Sequence, residues 1–492
     1  MSEAATRPSA NAGALLASLD PLLRGWLPRQ RWFAGKGRPV TGFGLVAATE
    51  LLPPGAEPGL LHLLIRVHQA QPSTAGDHEL PADCYQLLIG VRTELPPRLA
   101  PALIGHVTGG ALAGRTVYEA LHDPRLAALL LERLRVPGRL GVLRFARAEG
   151  PSGGPTADIP SGLAPRALGA EQSNSSLVYG DSFILKLFRR VVPGVNPDLE
   201  LPLALARQEC RRVPPPAAWI TAEGAGGAGA GGAGEPLVLG VLQPYVAGAT
   251  DGWELALQVL AKGADFSEEA RALGRATAEV HAALAAALPT VTLGRAQVEL
   301  LACRMTERLE AAARAVPALR PYAPALRTAY EALADLASEG GAGLTAQRVH
   351  GDLHLGQCLR APSGEWTLID FEGEPARPLA ERRMPQPPAR DIAGMLRSFD
   401  YASRSAQPTL DAPRAGAAPP PWSSQWADTC RAAYCAGYAD ADGHDPRKSP
   451  VLLRAHETDK AVYEAVYEAR HRPDWLPVPL AALDRLATDA SL

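Results

Sequence analysis

Two short segments of this chain hold carboxylates at a spacing that suits phosphoryl transfer. Residues 350–357 read HGDLHLGQ and residues 368–373 read LIDFEG; they are called the HGD loop and the DFEG loop below. Phosphoryl transfer needs one carboxylate facing the acceptor hydroxyl and others that hold Mg²⁺ against the phosphates of ATP. We expect Asp352 to take the first role and Asp370 the second.

Both loops depart from the protein-kinase pattern, in which an Asn follows the catalytic Asp and the metal-binding Asp begins D-F-G. Gln357 stands at the Asn position, and Glu372 is inserted before the Gly. We expect Gln357 to bind Mg²⁺ together with Asp370. The role of Glu372 stays open between a metal or water ligand and a spacer, and Glu372 and His354 are candidate substrate contacts.

Local signals predict the elements around these loops. Short apolar runs at 358–360 and 366–369 flank the turn-forming residues 361–364, which predicts a hairpin with a carboxylate loop at one end of each strand. A helix is expected at 389–403. Asp391 at its start could hydrogen-bond the HGD loop or cap the helix.

Lys186 lies inside an apolar strand, in the run ILKLF after a Gly-Asp hairpin turn. It fits a lysine that pairs with ATP phosphates, the alternative being a solvent-facing strand residue. A helix should follow, with Asn196 as its cap. Glu200 on this helix is the candidate ion-pair partner of Lys186, and Glu209 is the competitor.

Further nucleotide contacts are expected on both sides of the Lys186 strand. The polar loop before the hairpin offers Ser173 and Asn174, and the end of a later apolar strand offers Gln243, Tyr245 and Val246, whose backbone would face adenine. The Gly/Ala run at 224–234 reads as a flexible insertion, because it lacks the Lys and Ser/Thr of a phosphate-binding loop.

Apolar periodicity predicts several helices. One is expected at 12–27, where Pro21 would bend or split it. Others are expected at 125–135, 268–288, 296–316, 324–339 and 457–471. His281 reads as a satisfied helix histidine. On the last helix Lys460, Tyr463, Glu464 and Tyr467 share a face that suits a sugar, the alternative being an ordinary amphipathic helix.

Composition limits the class of protein. A chain of 492 residues with a net charge of -3 predicts two to four domains and favours neither nucleic acid nor membrane as a partner. We expect a soluble cytoplasmic protein, because no signal peptide or membrane-length apolar segment is evident. Its six cysteines form no C-x-x-C pair, which argues against zinc sites and disulfides.

The combined motifs resemble the bacterial maltokinases, an aminoglycoside-phosphotransferase-like branch of the protein-kinase fold. The resemblance rests on residues 30–38 (QRWFAGKGR), the HGD loop, residues 370–378, residues 390–402 and the C-terminal segment 463–475. It implies an α+β, two-lobed protein-kinase-like fold with an extra N-terminal α+β cap. The implied domains are a cap at 1–110, a nucleotide-binding lobe at 111–246 and a mostly helical lobe at 247–492.

The resemblance also implies the reaction, which is ATP-dependent phosphorylation of maltose at the anomeric hydroxyl to give maltose 1-phosphate for α-glucan synthesis. Asp352 would act on the hydroxyl, Gln357 and Asp370 would hold Mg²⁺, and Lys186 would bind the phosphates. A complex with trehalose synthase is a possible partnership. The alternatives are a kinase for another sugar or aminosugar such as glucosamine, and a non-catalytic kinase-like binding module.

Overall fold

The computed structural model describes residues 10–70, 82–149, 157–169, 173–223, 235–336, 343–375, 377–405 and 421–488. The chain divides into two compact units. The first comprises Met1–Glu200 and Pro215–Ala247, and the second comprises Leu201–Pro214 and Gly248–Leu492. The expected Gly/Ala insertion lies outside the described residues, and the expected three-domain division stays a prediction.

The first unit is built mainly from antiparallel strands. Its helices are α1 (Ala10–Trp26), α2 (Pro124–Arg135) and the start of α3 (Pro197–Arg207). Its described strands are β1 (Val40–Leu52), β2 (Gly59–Gln69), β3 (Asp83–Arg92), β4 (Leu103–His106), β5 (Thr116–Glu119), β6 (Gly138–Leu140), β7 (Leu143–Arg147), β8 (Pro165–Ala167), β9 (Asn174–Tyr179), β10 (Phe183–Phe188), β11 (Arg190–Val191), β12 (Ala218–Ala222) and β13 (Leu237–Pro244).

These strands form two sheets. One has the order β1-β2-β3-β5-β4, with β11 also paired to β3, and the other has the order β6-β7-β12-β13-β10-β9-β8. The expected hairpin is present, since Tyr179 of β9 pairs with Phe183 of β10. Gln86 of the first sheet ties the two together, because its Nε2 donates to the carbonyls of Phe188 and Leu239, each at 2.9 Å.

Helix α1 packs on the first sheet and is not split at Pro21, contrary to one of the expected outcomes. Leu19 and Leu23, on either side of the proline, are fully buried in one core with Leu63 of β2. Burial of such side chains contributes about 1.5–3 kcal/mol each. Packing on both sides of Pro21 therefore offsets the roughly 3 kcal/mol penalty of a proline inside a helix.

The second unit is mainly helical. Its helices are the end of α3, α4 (Gly252–Ala261), α5 (Ser267–Ala287), α6 (Arg295–Ala315), α7 (Ala323–Leu336), α8 (Leu379–Arg382), α9 (Ala389–Ser405), α10 (Pro421–Asp442), α11 (Pro450–His471) and α12 (Pro477–Thr488). Its described strands are β14 (Thr250–Asp251), β15 (Val291–Leu293), β16 (Leu344–Ala346), β17 (Cys358–Arg360) and β18 (Trp366–Leu368). The predicted helices and the β17–β18 hairpin are confirmed within the described residues. The helix expected at 457–471 begins earlier, at Pro450, and residues 337–339 of the helix expected at 324–339 lie outside the described residues.

Two hydrophobic cores stabilise this unit. The larger joins α4, α5, α9 and α10 to the HGD and DFEG loops, and Leu353, Phe371 and Phe399 are all buried in it. The other joins α6, α7, α11 and α12. The two loops are thus packed against helices and are anchored by buried side chains. Among the described helices, none combines the length and apolarity needed to cross a membrane.

Candidate active site

The backbone of the HGD loop is held by Asp391, the third residue of α9. The Asp391 carboxylate accepts hydrogen bonds from the backbone nitrogens of His350 at 2.7 Å and Gly351 at 2.8 Å. It also accepts from His281 Nε2 at 2.9 Å. Of the two roles expected for Asp391, binding the loop is the one observed.

Burial alone would raise the pKa of Asp391, but hydrogen bonds from His281 and Gly351 hold it below its ordinary value. A carboxylate can only accept, so His281 carries its hydrogen on Nε2. Its Nδ1 lies within hydrogen-bond distance of the Tyr438 hydroxyl, at 3.0 Å. His281 is therefore a satisfied buried histidine, as expected. It holds the Asp391 carboxylate, which in turn holds the HGD loop.

Close approach of α9 to the HGD loop depends on Gly394. A Cβ atom built on this residue would lie 2.4 Å from the Leu353 carbonyl oxygen. A side chain here would push the loop away from the helix. Gly351 has a φ of +85°, a left-handed conformation that glycine adopts without steric strain.

His350 joins the HGD loop to the DFEG loop. Its Nε2 donates to the Ile369 carbonyl at 2.9 Å, and its Nδ1 lies 3.4 Å from the Asp352 nitrogen. Its ring also packs on Phe371, with 4.6 Å between ring centroids. The two predicted carboxylate segments therefore form one structural element.

The predicted metal residues meet at this junction. Gln357 Nε2 lies 2.9 Å from Asp370 Oδ2. Asp370 has a φ of +66°, a left-handed backbone that is uncommon outside glycine and that is often associated with functional sites. Carboxylate and amide oxygens are hard ligands of the kind that Mg²⁺ prefers, so this pair fits the expected ion. Glu372 is half-buried, and its carbonyl accepts from Arg382 at 2.9 Å.

Asp352 forms an ion pair that was not predicted from the sequence. Its Oδ1 lies 2.7 Å from Lys460 Nζ on α11, and Lys460 lies 3.5 Å from Glu374. Glu374 in turn is bound by Arg377 and Arg390. Burial alone would raise the pKa of Glu374, but these three cations hold it well below its ordinary range.

The other residues of the predicted sugar face do not all contact one another. Tyr463 and Tyr467 are half-buried and stack, with centroids 6.4 Å apart. Lys460 lies over the Tyr463 ring at 5.0 Å. Glu464 is turned away to the fully buried Arg397, at 2.6 Å. His354 binds within its own loop, since its Nδ1 accepts from the Gly356 nitrogen at 3.1 Å.

In the first unit, Lys186 lies on β10 and its Nζ is 2.9 Å from Asp198 Oδ2. Asn196 caps α3 as expected, because its Oδ1 accepts from the Asp198 nitrogen at 2.9 Å. Asp198 was missed as a partner. The candidates named from the sequence were Glu200, which lies half-buried in the next positions of α3, and Glu209, which is exposed after the helix.

The remaining predicted nucleotide residues flank this strand. Ser173 is exposed, and its Oγ accepts from Asn174 Nδ2 at 3.2 Å at the start of β9. Gln243 is near the end of β13, the strand paired with β10. The Tyr245 nitrogen donates to the Ser182 carbonyl at 2.9 Å. The expected contact of Val246 with adenine stays a prediction.

Two segments of the chain match known protein families. Residues 162–448, more than half of the chain, match the phosphotransferase enzyme family. The chain belongs to this family. Residues 26–123 match the maltokinase N-terminal cap domain. The two matches confirm the predicted resemblance, and they show a phosphotransferase that carries a cap.

Two relatives in this family are both named glucosamine kinase. The one from Streptacidiphilus jiangxiensis is 32% identical over an alignment of 354 residues, with 66% of this chain and 75% of the relative covered. The one from Mycolicibacterium smegmatis is 30% identical over 346 residues, with 66% and 80% covered. Both similarities indicate that this phosphotransferase is related to sugar kinases.

Solved structures support the fold. A glucosamine kinase in complex with glucosamine, ADP and inorganic phosphate is similar over 95% of this chain and 98% of its own, with 25% identity and a TM-score of 0.61. A second crystal form gives a TM-score of 0.63. The predicted kinase-like α+β fold with an N-terminal cap is thereby confirmed.

Proposed function

We propose that this phosphotransferase is a sugar kinase that transfers the γ-phosphoryl group of ATP to the anomeric hydroxyl of maltose, giving maltose 1-phosphate and ADP. The phosphotransferase part rests on family membership. The preference for a neutral sugar over an aminosugar rests on one observation, which is that the carboxylates around Asp352 are already matched by cations of the chain. Maltose is chosen among neutral sugars because residues 26–123 match the maltokinase N-terminal cap domain.

The acidic neighbours of Asp352 have strong partners. Glu374 is shared by Arg377, Arg390 and Lys460. Asp459 accepts from Nε and Nη2 of Arg308, each at 2.8 Å. Glu374 and Asp459 line the pocket beside Asp352. A protonated amine would gain a carboxylate here only by displacing one of these cations, whereas neutral hydroxyls need no such exchange.

The reaction assigns a task to each predicted residue. The acceptor oxygen forms a bond to the γ-phosphorus, the bond to the ADP oxygen breaks, and the hydroxyl proton passes to Asp352. Mg²⁺, when bound, neutralises phosphate charge, and Gln357 and Asp370 are the residues that would hold it. Lys186 would bind the nucleotide phosphates, with Ser173 and Asn174 in the loop before its hairpin.

Glucosamine is the second candidate acceptor, because the curated relatives at 30–32% identity carry the name glucosamine kinase. The acceptor is decided by comparing initial rates on maltose, glucosamine, glucose and maltotriose with ATP and Mg²⁺. Phosphorus NMR of the product then identifies the phosphorylated position. Turnover on glucosamine without turnover on maltose would exclude the proposed acceptor. Two further statements stay predictions: that the product feeds α-glucan synthesis, and that the protein forms a complex with trehalose synthase.

Asp352→Ala tests the proposed chemistry and the non-catalytic alternative together. Loss of a positioned proton acceptor should lower kcat about 10²- to 10⁴-fold. Asp428→Ala, at an exposed position of α10, is the matched control and should retain the activity of the natural chain. Equal turnover in the two variants would remove Asp352 from the mechanism. A natural chain that transfers no phosphate to any sugar would favour the binding-module alternative.

A further inference from the structure

Lys460, which was predicted as a sugar contact, lies between two carboxylates. Its ammonium lies between Asp352 Oδ1 at 2.7 Å and Glu374 Oε1 at 3.5 Å, and its side chain is only 15% exposed. Burial alone would lower the pKa of Lys460, but Asp352 and Glu374 outweigh burial and raise it above its ordinary value. Lys460 therefore remains a cation at neutral pH.

Glu374 has two cationic partners besides Lys460. Arg377 Nε lies 2.5 Å from one Glu374 oxygen, and Arg390 Nη2 lies 3.0 Å from it. Arg390 also donates to the Gly351 carbonyl of the HGD loop at 3.2 Å. Glu374 is thus an anchored carboxylate that directs the Lys460 ammonium toward Asp352.

The HGD loop supplies no comparable cation from its own residues. His354, two positions after Asp352, accepts a hydrogen bond from Gly356 through Nδ1. Burial lowers the pKa of His354, so its ring is neutral at neutral pH. The cation beside Asp352 comes instead from α11, which begins at Pro450. That helix lies after residue 448, where the match to the phosphotransferase family ends.

A lone Asp carboxylate can rotate, because its terminal torsion is broad rather than confined to narrow wells. An ammonium that binds Oδ1 removes this freedom and presents Oδ2 to an incoming hydroxyl. Misplacement of a reacting group by about 1 Å can lower the rate about 10²-fold. Holding Asp352 in place can therefore change kcat by about 10²-fold.

We propose that Lys460 is a positioning residue of the reaction, which fixes the Asp352 carboxylate so that Oδ2 faces the acceptor hydroxyl. This role rests on the proposed kinase function. A helix beyond the family match thereby completes the catalytic loop.

The test compares Lys460→Met, Lys460→Arg and Lys460→Ala, with Lys448→Met at an exposed position as the matched control. Lys460→Met should lower kcat about 10²-fold while KM for ATP changes less than about threefold. Lys460→Arg should restore part of the rate, because it returns a cation. Added ethylamine should activate Lys460→Ala in a saturable way and should not activate Lys460→Met, whose side chain fills the space.

Thermal unfolding separates this role from a structural one. Lys460→Met should unfold near the temperature of the natural chain, because Glu374 retains Arg377 and Arg390. Unchanged kcat in Lys460→Met, or lost activity with a lowered unfolding temperature and no response to ethylamine, would overturn the positioning role. A natural chain inactive on every sugar is a different result, since it removes the proposed function and this role with it.

Discussion

Asp391→Asn is the sharpest test of how the structure builds the catalytic loop. The natural carboxylate accepts from His350 N, Gly351 N and His281 Nε2 in a fully buried site. An amide of the same shape keeps the oxygen that accepts from His350 N and His281 Nε2 but turns an NH₂ group toward Gly351 N. We expect both a less stable protein and a displaced HGD loop.

The magnitude follows from the number of bonds lost. Oδ2 accepts from both His350 N and His281 Nε2, so an amide oxygen in its place keeps these two bonds, and only the bond from Gly351 N to Oδ1 is lost. A hydrogen bond to a charged group contributes about 1.5–3 kcal/mol and a neutral one about 1 kcal/mol less, so one lost bond and two weakened bonds correspond to roughly 3–5 kcal/mol. For a large domain, 1 kcal/mol shifts the unfolding temperature by about 2–4 °C. The expected decrease for Asp391→Asn is therefore on the order of 10 °C, with kcat lowered about 10²-fold through misplacement of Asp352.

The effect should depend on pH in a defined direction. The pKa of Asp391 in the folded protein lies below its ordinary value, so its stabilising contribution is complete above the unfolded pKa. That contribution decreases as the pH falls through the lower, folded pKa. The difference in unfolding temperature between the natural chain and Asp391→Asn should thus be full at pH 7 and narrow well below about pH 4.

Scanning calorimetry and steady-state kinetics on purified full-length protein measure these quantities. Asp428→Asn, on the exposed side of α10, provides the same change of charge without buried partners. If Asp391→Asn matches this control in both unfolding temperature and kcat, the HGD loop does not depend on Asp391. A pH-independent difference would refute the assignment of an ionised carboxylate.

Two further predictions concern buried cations. Lys186→Met should raise KM for ATP about tenfold or more, the size expected for one charge-assisted contact, while KM for the sugar changes little; steady-state titrations of each substrate check this. Arg397→Met should lower the free energy of unfolding by about 3–5 kcal/mol, because Glu464 is left as a buried charge beside an apolar side chain. Denaturant unfolding measures it, and Arg397→Met/Glu464→Gln should be more stable than the single variant.

Local chemistry explains why much of the fold could be predicted from the sequence. The Gly-Asp turn before β10, the Asn196 cap of α3 and the hairpin between β17 and β18 depend on neighbours within a few residues. Such signals are readable in any sequence window. Pro21 marks their limit, because the local penalty of a proline was overcome by core packing of α1.

The partner of Lys186 could not be chosen by the same reasoning. Asp198 and Glu200 both lie in the first turn of α3, two positions apart, and residues at this spacing face different sides of a helix. Which side meets β10 depends on how the helix docks. The structure shows Asp198 in contact with Lys186, at 2.9 Å.

The sequence by itself predicted a phosphotransferase, because the HGD and DFEG loops each hold their candidate reactive groups within a few residues. Tertiary structure decided which charges meet. Lys460 reaches Asp352, and Asp391 reaches the loop backbone, only because α9 and α11 pack beside the HGD loop. Contacts between groups so far apart along the chain depend on the docking of whole helices, which no local pattern encodes.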